Sequence, residues 1–333
     1  MSFVRYNPED SVISSETVVR GLFSGDSNVL SSFVSESSSE YYLNVYNGSP
    51  ALSSSAVQFS IQYGNINGSG SKLINTNVPG YTPSRVIYGE YRNLVYGTET
   101  QNFSFDNGTT TADDIFVLNF ARARYKESLL PGSFNLTLRS GSSAIQLTDD
   151  SKTTNLTRFI GENRVFYIIS GSNGNSYTPA ASSSYYGMMF PDLNIVVLNA
   201  TASSVVDLRS YFAPLTTATA SVQDNQLKIY NSIVSGSTSS PTSSMTLQSS
   251  ETVSSRYFFT RVKNSEFNYT TNPSIIDANG NLLYTTLINN PQTYITTVGM
   301  YNDNNELLAV AKLSQPLVKD FTKESLIKVK LDY

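Results

Sequence analysis

Apolar and polar positions along this chain form short blocks of strand length separated by turn residues. Residues 56–63, Ala-Val-Gln-Phe-Ser-Ile-Gln-Tyr, alternate cleanly, the pattern of a strand with one covered face. Residues 41–46, Tyr-Tyr-Leu-Asn-Val-Tyr, run into Asn47-Gly48, a turn dipeptide. Residues 115–120 and 134–138 flank a basic connection containing Pro131-Gly132, and residues 165–169 and 195–198 are short apolar runs. Val262, Ile288 and residues 327–331 fall in further blocks of the same kind. The spacing is that of an all-β chain with two or more β-sandwich-like domains. Helical periodicity is scarce. It predicts a short helix within residues 8–19 and two turns over residues 204–212.

The C-terminal stretch carries the sharpest local signal. Residues 294–301, Tyr-Ile-Thr-Thr-Val-Gly-Met-Tyr, are rich in β-branched and aromatic side chains. Asn302-Asp303-Asn304-Asn305 tolerates a turn and left-handed backbone, and Leu307-Leu308-Ala309-Val310-Ala311 resumes the apolar run. That is a β-hairpin, with Val298, Tyr301 and Leu307 expected at its centre.

Low-complexity segments divide the chain. Residues 236–255 are Ser, Thr, Gly and Pro with little apolar mass and read as an extended linker. The resulting organisation is an irregular N-terminal arm over 1–40, a middle domain over 41–235, the linker, and a C-terminal β domain over 256–333. Ser14-Ser15-Glu16-Thr17-Val18 recurs literally as Ser249-Ser250-Glu251-Thr252-Val253. In a Ser-rich chain such an echo is weak support for duplication.

Composition removes chemistry. The 333 residues contain no His, no Cys and no Trp. Triads with an imidazole base, thiolate nucleophiles, structural zinc and disulfides are therefore excluded. Charged residues make up only 14%, against about 25% in an average domain. Such a surface suits a subunit that stays covered by partners. The net charge of −4 provides no basic field for nucleic acid. No apolar run reaches the roughly 18 residues of a membrane span, and the first residues lack a signal-peptide core, so a soluble product made in a cytosol is expected.

The remaining candidate sites are better explained as structure. Residues 66–71, Ile-Asn-Gly-Ser-Gly-Ser before Lys72, look like a phosphate loop, but no Gly-Lys dipeptide occurs and the flanks are strands. Residues 277–281 and 302–306 resemble fragments of calcium loops, yet neither has the closing glutamate, and both sit where turns are needed. Asp113-Asp114 and Asp149-Asp150 raise glycosidase chemistry, but adjacent strand residues point to opposite faces and make no dyad. Eight Asn-x-Ser/Thr triplets, Asn107 and Asn155 among them, follow from Asn/Ser/Thr richness. No enzyme activity, cofactor or metal is expected. Residues 121–132 interleave Arg122, Arg124, Tyr125 and Lys126, a composition suited to a protein contact.

With these residues in view, the chain resembles virion structural proteins of T-even-like contractile-tailed bacteriophages, particularly of marine and cyanophage type. The pattern T-x-V-G-φ-Y-x-D-x-N-x-L-φ-A-V-A over 296–311 is similar to the attachment module of tail-fibre proteins. The phrase over 122–138, Arg261 to Asn264, Glu266 to Asn272 with Pro273, residues 81–93 and residues 170–174 match such proteins in order. The resemblance covers most of the chain from Tyr41 on and implies a non-enzymatic virion subunit of the baseplate or fibre-attachment region. Its implied partners are other tail proteins in multiple copies, with no nucleic acid and no membrane. It would be assembled in the host cytoplasm and found in the virion. Arg261, Asn264, Phe267 and Tyr269 are then expected to position the C-terminal unit. The alternatives are a carbohydrate-binding or depolymerising tail adhesin and a head or neck decoration protein.

Overall fold

The computed structural model describes residues 5–22, 34–36, 41–47, 49–68, 83–105, 111–125, 127–140, 143–154, 157–177, 185–200, 222–234, 245–269 and 272–333. The fold is all-β, with 51% of residues in strands, 14% in helix, and curled antiparallel sheets. The chain forms two compact units, Val18–Glu251 and Met1–Thr17 together with Thr252–Tyr333. Strands of four or more residues and helices of eight or more are numbered below.

The larger unit is built on one long antiparallel sheet. Its strands are β2 (Leu43–Tyr46), β3 (Val57–Asn65), β4 (Asp114–Phe120), β5 (Asn135–Ser140), β6 (Ser143–Asp149), β7 (Asn163–Ser172), β8 (Gly187–Phe190) and β9 (Ile195–Asn199). They lie in the order β5-β6-β7-β8-β9-β4-β3-β2, flanked by the short strands Met245–Thr246 and Val34–Glu36. The centre of the sheet is covered on both faces. Ile115, Phe116, Val117 and Leu118 of β4 are consecutive and fully buried, as are Val196, Val197 and Leu198 of β9. Continuous apolar runs are what such a position requires.

Strand β3 departs from its own pattern. Its alternation places Gln58 and Gln62 on a solvent face, yet both are buried. The reason is helix α1 (Ser84–Tyr96), which lies against β3 and turns Ile87, Tyr88, Tyr91 and Val95 inward. The Tyr91 hydroxyl donates to Gln62 Oε1. Burial pushes the Tyr91 phenol up to about 12, against a weaker lowering by Asn119. The approach is close because β3 has Gly64 there: a Cβ would stand 2.9 Å from the backbone N of Tyr88. A second helix, α2 (Val222–Val234), covers β3 and β5 with Ile229, Tyr230 and Ile233.

A sheet of β1 (Ser11–Gly21), β10 (Gln248–Val262) and β13 (Ser325–Asp332), with β10 in the middle, gives the smaller unit residues 11–17 of β1, 252–262 of β10 and all of β13. A separate hairpin pairs β11 (Thr293–Tyr301) with β12 (Leu307–Lys319). The boundary between the units falls inside β1 and β10.

Several expectations are corrected here. The arm expected to be irregular is strand over Ser11–Gly21, after a 3-10 turn at Pro8–Asp10, and is not a helix. Its β-branched Val12, Ile13, Thr17, Val18 and Val19 suit a strand. Residues 248–255 of the expected linker are strand, because their backbone pairs with β13 and with the short strand Ser128–Leu129. Ile288 lies in the five-residue helix Thr285–Asn289 rather than in a strand. Both copies of the Ser-Ser-Glu-Thr-Val echo are strand, on the neighbours β1 and β10. The expected helix at 204–212, residues 236–244 and the Ser69–Lys72 end of the glycine-rich loop lie outside the described residues. No described helix is long and apolar enough to cross a membrane.

Candidate interaction surface

The described residues of the smaller unit bury few of their large apolar side chains and leave sixteen of them exposed. Among the described residues of Met1–Thr17 and Thr252–Tyr333 the buried apolar side chains are Val262, Ile327 and Val329. By contrast, Leu308 is 68% exposed, Val310 58%, Tyr294 60% and Leu326 65%. In the whole β11–β12 hairpin the one buried side chain is that of Lys319.

The hairpin register explains the exposure. Tyr301 faces Leu307, Met300 faces Ala309, and Val298 faces Ala311, with irregularities after Ile295 and at Leu308. Tyr301 and Leu307 both pack over Gly299, whose missing Cβ would be 3.0 Å from Tyr301 Cε2 and 3.3 Å from Leu307 Cδ1. Val298 belongs to the opposite face, since strand side chains alternate. The three residues expected to form a common centre are therefore split: Tyr301 and Leu307 meet on one face and stay 40% and 52% exposed, while Val298 is half-buried on the other. A two-stranded ribbon has nothing beneath it to build a core on.

The loop after β10 ties this hairpin to the rest of its unit. Lys319 Nζ donates to Asn264 O, Asn268 Oδ1 and Asp320 O, each at 2.9 Å, which uses all three ammonium hydrogens. The Asn268 amide donates back to Asn264 O at 2.6 Å. Phe267, at φ 53°, turns its carbonyl to the Thr293 hydroxyl at 2.6 Å. The Tyr269 hydroxyl donates to Gly280 O at 2.9 Å. Arg261 forms an exposed ion pair with Glu324, 2.7 Å from Nη2 to Oε2. Of the four residues expected to position this unit, Asn264 and Phe267 make these contacts through backbone carbonyls, Tyr269 through its hydroxyl and Arg261 through its guanidinium.

The mid-chain candidates lie in the other unit. Arg122 and Arg124 belong to the 3-10 turn Arg122–Arg124. The Arg122 guanidinium sits 4.8 Å over the Tyr125 ring, and Tyr125 packs its body against the core. The turn fragments read as calcium-like close on themselves. Asp277 Oδ1 accepts from the N–H groups of Asn279 and Asn281 at 2.9 and 2.7 Å, and backbone and side-chain donors of Asn281 hold its carboxyl below the ordinary range. Asn302 Oδ1 accepts from Asn304 and Glu306, with Asn305 at φ 61°. Among the described residues, no three acidic, His or Cys side chains are gathered as a metal site requires.

A polar cluster that sequence reading treated as a strand end proves to organise the larger unit. Thr148, Asp149 and Asp150 are consecutive and buried. The Thr148 hydroxyl donates to Phe134 O at 2.7 Å and accepts from Gly174 N at 2.8 Å. Asp149 accepts from the N–H of Gly132 and of Ser151. Asp150 takes the N–H of Tyr167 at 3.0 Å and Arg158 Nη1 at 2.5 Å, with Arg158 4.9 Å over the Tyr167 ring. Gly132 and Gly174, both at φ 83°, pack so closely that a Cβ on Gly174 would be 2.9 Å from Gly132 Cα. The legible signal was a Thr-Asp-Asp run between apolar residues, each side chain a ready acceptor for loop N–H groups.

No protein-family model, no curated protein and no solved structure matches the chain.

Proposed function

We propose that this chain is a structural subunit of a contractile-tailed phage particle, placed in the baseplate or fibre-attachment region and acting through protein–protein interfaces. One observation carries the reading: a unit that buries Val262, Ile327 and Val329 and leaves a 22-residue ribbon of exposed Tyr, Leu and Val. Large apolar side chains concentrated and exposed in one element are the kind of surface that proteins use for binding. The low proportion of charge and the resemblance of residues 296–311 to a fibre-attachment module point the same way. The reading includes no catalytic step and no cofactor. It is consistent with this that the buried carboxylates of the larger unit are spent on backbone N–H groups and on Arg158. The test is peptide mass spectrometry of purified particles, followed by a density map of the intact virion. The chain is expected in the particle and in contact with tail proteins. A place on the capsid lattice alone would remove the baseplate, and a free monomer absent from particles would remove the proposal.

A further inference from the structure

The sheet of β1, β10 and β13 has two outer strands, and among the described residues neither β1 nor β13 has a second neighbour. β13 keeps one register with β10 along eight residue pairs, and neither outer strand contains proline. Regular edges of this kind are templates for another strand, and proteins blunt them with bulges, proline or charged side chains, lysine above all; the two lysines of β13 therefore admit only a partner edge that offsets their charge. The two edges also differ in sign. β13 presents Lys328, Lys330 and Asp332, a net positive charge, with Lys328 Nζ 4.0 Å over the Tyr257 ring and Lys330 Nζ 3.0 Å from Asp332 Oδ1. Within residues 11–17 of β1 the one charged side chain is Glu16, which is exposed.

The exposed apolar area says how many neighbours are needed. Sixteen large apolar side chains of this unit are exposed. At roughly 100 Å² each they amount to on the order of 1,500 Å², about twice the 800 Å² that one side of a standard interface supplies. Two neighbours touching two different surfaces are what each member of a closed head-to-tail ring has. Of the sixteen, Val12 and Ile13 lie on β1 and Leu326 on β13, so these two edges of a single sheet offer exposed apolar side chains beside unpaired backbone.

We infer that copies of this chain assemble with one another by pairing the β13 edge of one copy with the β1 edge of the next. The inference rests on the reading of the chain as an interface-forming subunit and names its first partner as itself. The experiment is light scattering on the purified full-length chain, with amide hydrogen exchange, for the wild type, E16K, the pair K328E/K330E, and all three together. The wild type is expected to be a closed oligomer whose amides over 11–17 and 325–332 exchange slowly. Each reversal is expected to weaken assembly at least about tenfold, and the triple variant to recover it. These side chains are exposed, so folding is expected to survive; circular dichroism checks it, and the wild-type exchange pattern decides even if a variant misfolds. A monomeric wild type, or an oligomer with freely exchanging edges and no response to the reversals, overturns the inference. A chain that is monomeric alone but present in particles refutes self-pairing and spares the proposed function. An oligomer absent from particles does the reverse.

Discussion

The backbone N–H of Gly132 points between the two carboxylate oxygens of Asp149, at 2.8 and 2.9 Å, and so fastens the loop before β5 to the end of β6. Asp149 is fully buried, and the Ser151 N–H shares one of its oxygens. Asp149→Ala would leave both donors without an acceptor. At about 1–3 kcal/mol for a buried orphan group, a loss of about 2–4 kcal/mol is expected in urea denaturation followed by circular dichroism. Asp149→Asn keeps one acceptor oxygen and should lose less. Equal losses for the two variants would mean that the carboxylate's hydrogen bonds do not hold the loop.

The same residue gives a pH signature. Burial raises the Asp149 carboxyl above its ordinary 3.8, outweighing the lowering by the Ser151 hydroxyl and by backbone N–H groups. A raised folded value means that the folded state holds this proton more tightly. The contribution is then full below 3.8 and is lost as pH rises through the folded value. The stability difference between wild type and Asp149→Asn is therefore expected to shrink from acid to neutral pH. Asp277, Asp320 and Asp332 act in the opposite sense: their carboxyls are lowered, so their contribution exists above 3.8 and is lost as pH falls through their folded values. A difference that grows toward neutral pH would contradict the sign assigned to Asp149.

Lys319 anchors the loop over 263–269 to the end of the hairpin. Lys319→Met preserves much of the stem and removes all three hydrogen bonds; Asn264 O keeps the Asn268 amide and Asp320 O keeps the Lys323 N–H, so the acceptor left without a donor is the half-buried Asn268 Oδ1. The expected cost is about 1–3 kcal/mol, confined to the smaller unit. Hydrogen exchange should accelerate over 263–269 and 317–320, while the strands β3 to β9 keep their protection. Uniform acceleration throughout the chain would argue against a local anchor.

Leu308→Asp and Val310→Asp distinguish a binding face from a core. Both side chains are exposed, so thermal unfolding of the isolated chain should change by about 0.5 kcal/mol or less, as for surface substitutions generally. Incorporation into particles should fall sharply, because a charge would be buried at the contact. A loss of 3 kcal/mol, of the order seen for core truncations, would show that the ribbon is packed within its own unit.

Tyr88→Phe probes the contact of α1 with the sheet. The Tyr88 hydroxyl donates to Ala112 O at 2.8 Å and accepts from Phe103 N at 3.0 Å, and its ring meets Phe103 edge-on at 5.3 Å. Removing the hydroxyl orphans two buried backbone groups while keeping the ring. A loss of about 1–3 kcal/mol is expected, read from the urea midpoint at unchanged slope.

The sequence by itself determined the fold class and the hairpin at the C-terminus, because period-2 alternation, β-branched residues and Asn/Asp turns act over a few residues. It also excluded imidazole, thiolate and zinc chemistry, which follows from composition alone. It did not show α1, although Ile87, Tyr88, Tyr91 and Val95 share one helical side and Gly97, at φ 67°, caps the end. Tyr and Val are weak helix formers, and the strand-like composition hid the 3.6-residue period. Nor could it show that β1 and β10 share a sheet, since that pairing joins residues over two hundred positions apart. The polar role of Thr148, Asp149 and Asp150 was hidden for the same reason: a buried carboxylate is recognised by the donors that reach it, and Gly132, Tyr167 and Arg158 arrive there only in three dimensions. Burial of Gln58 and Gln62 beneath α1, and exposure of Leu308 and Val310 on a ribbon with nothing beneath it, were likewise decided by tertiary structure. An apolar pattern fixes which face of a strand seeks cover, and only packing decides whether the chain itself supplies it.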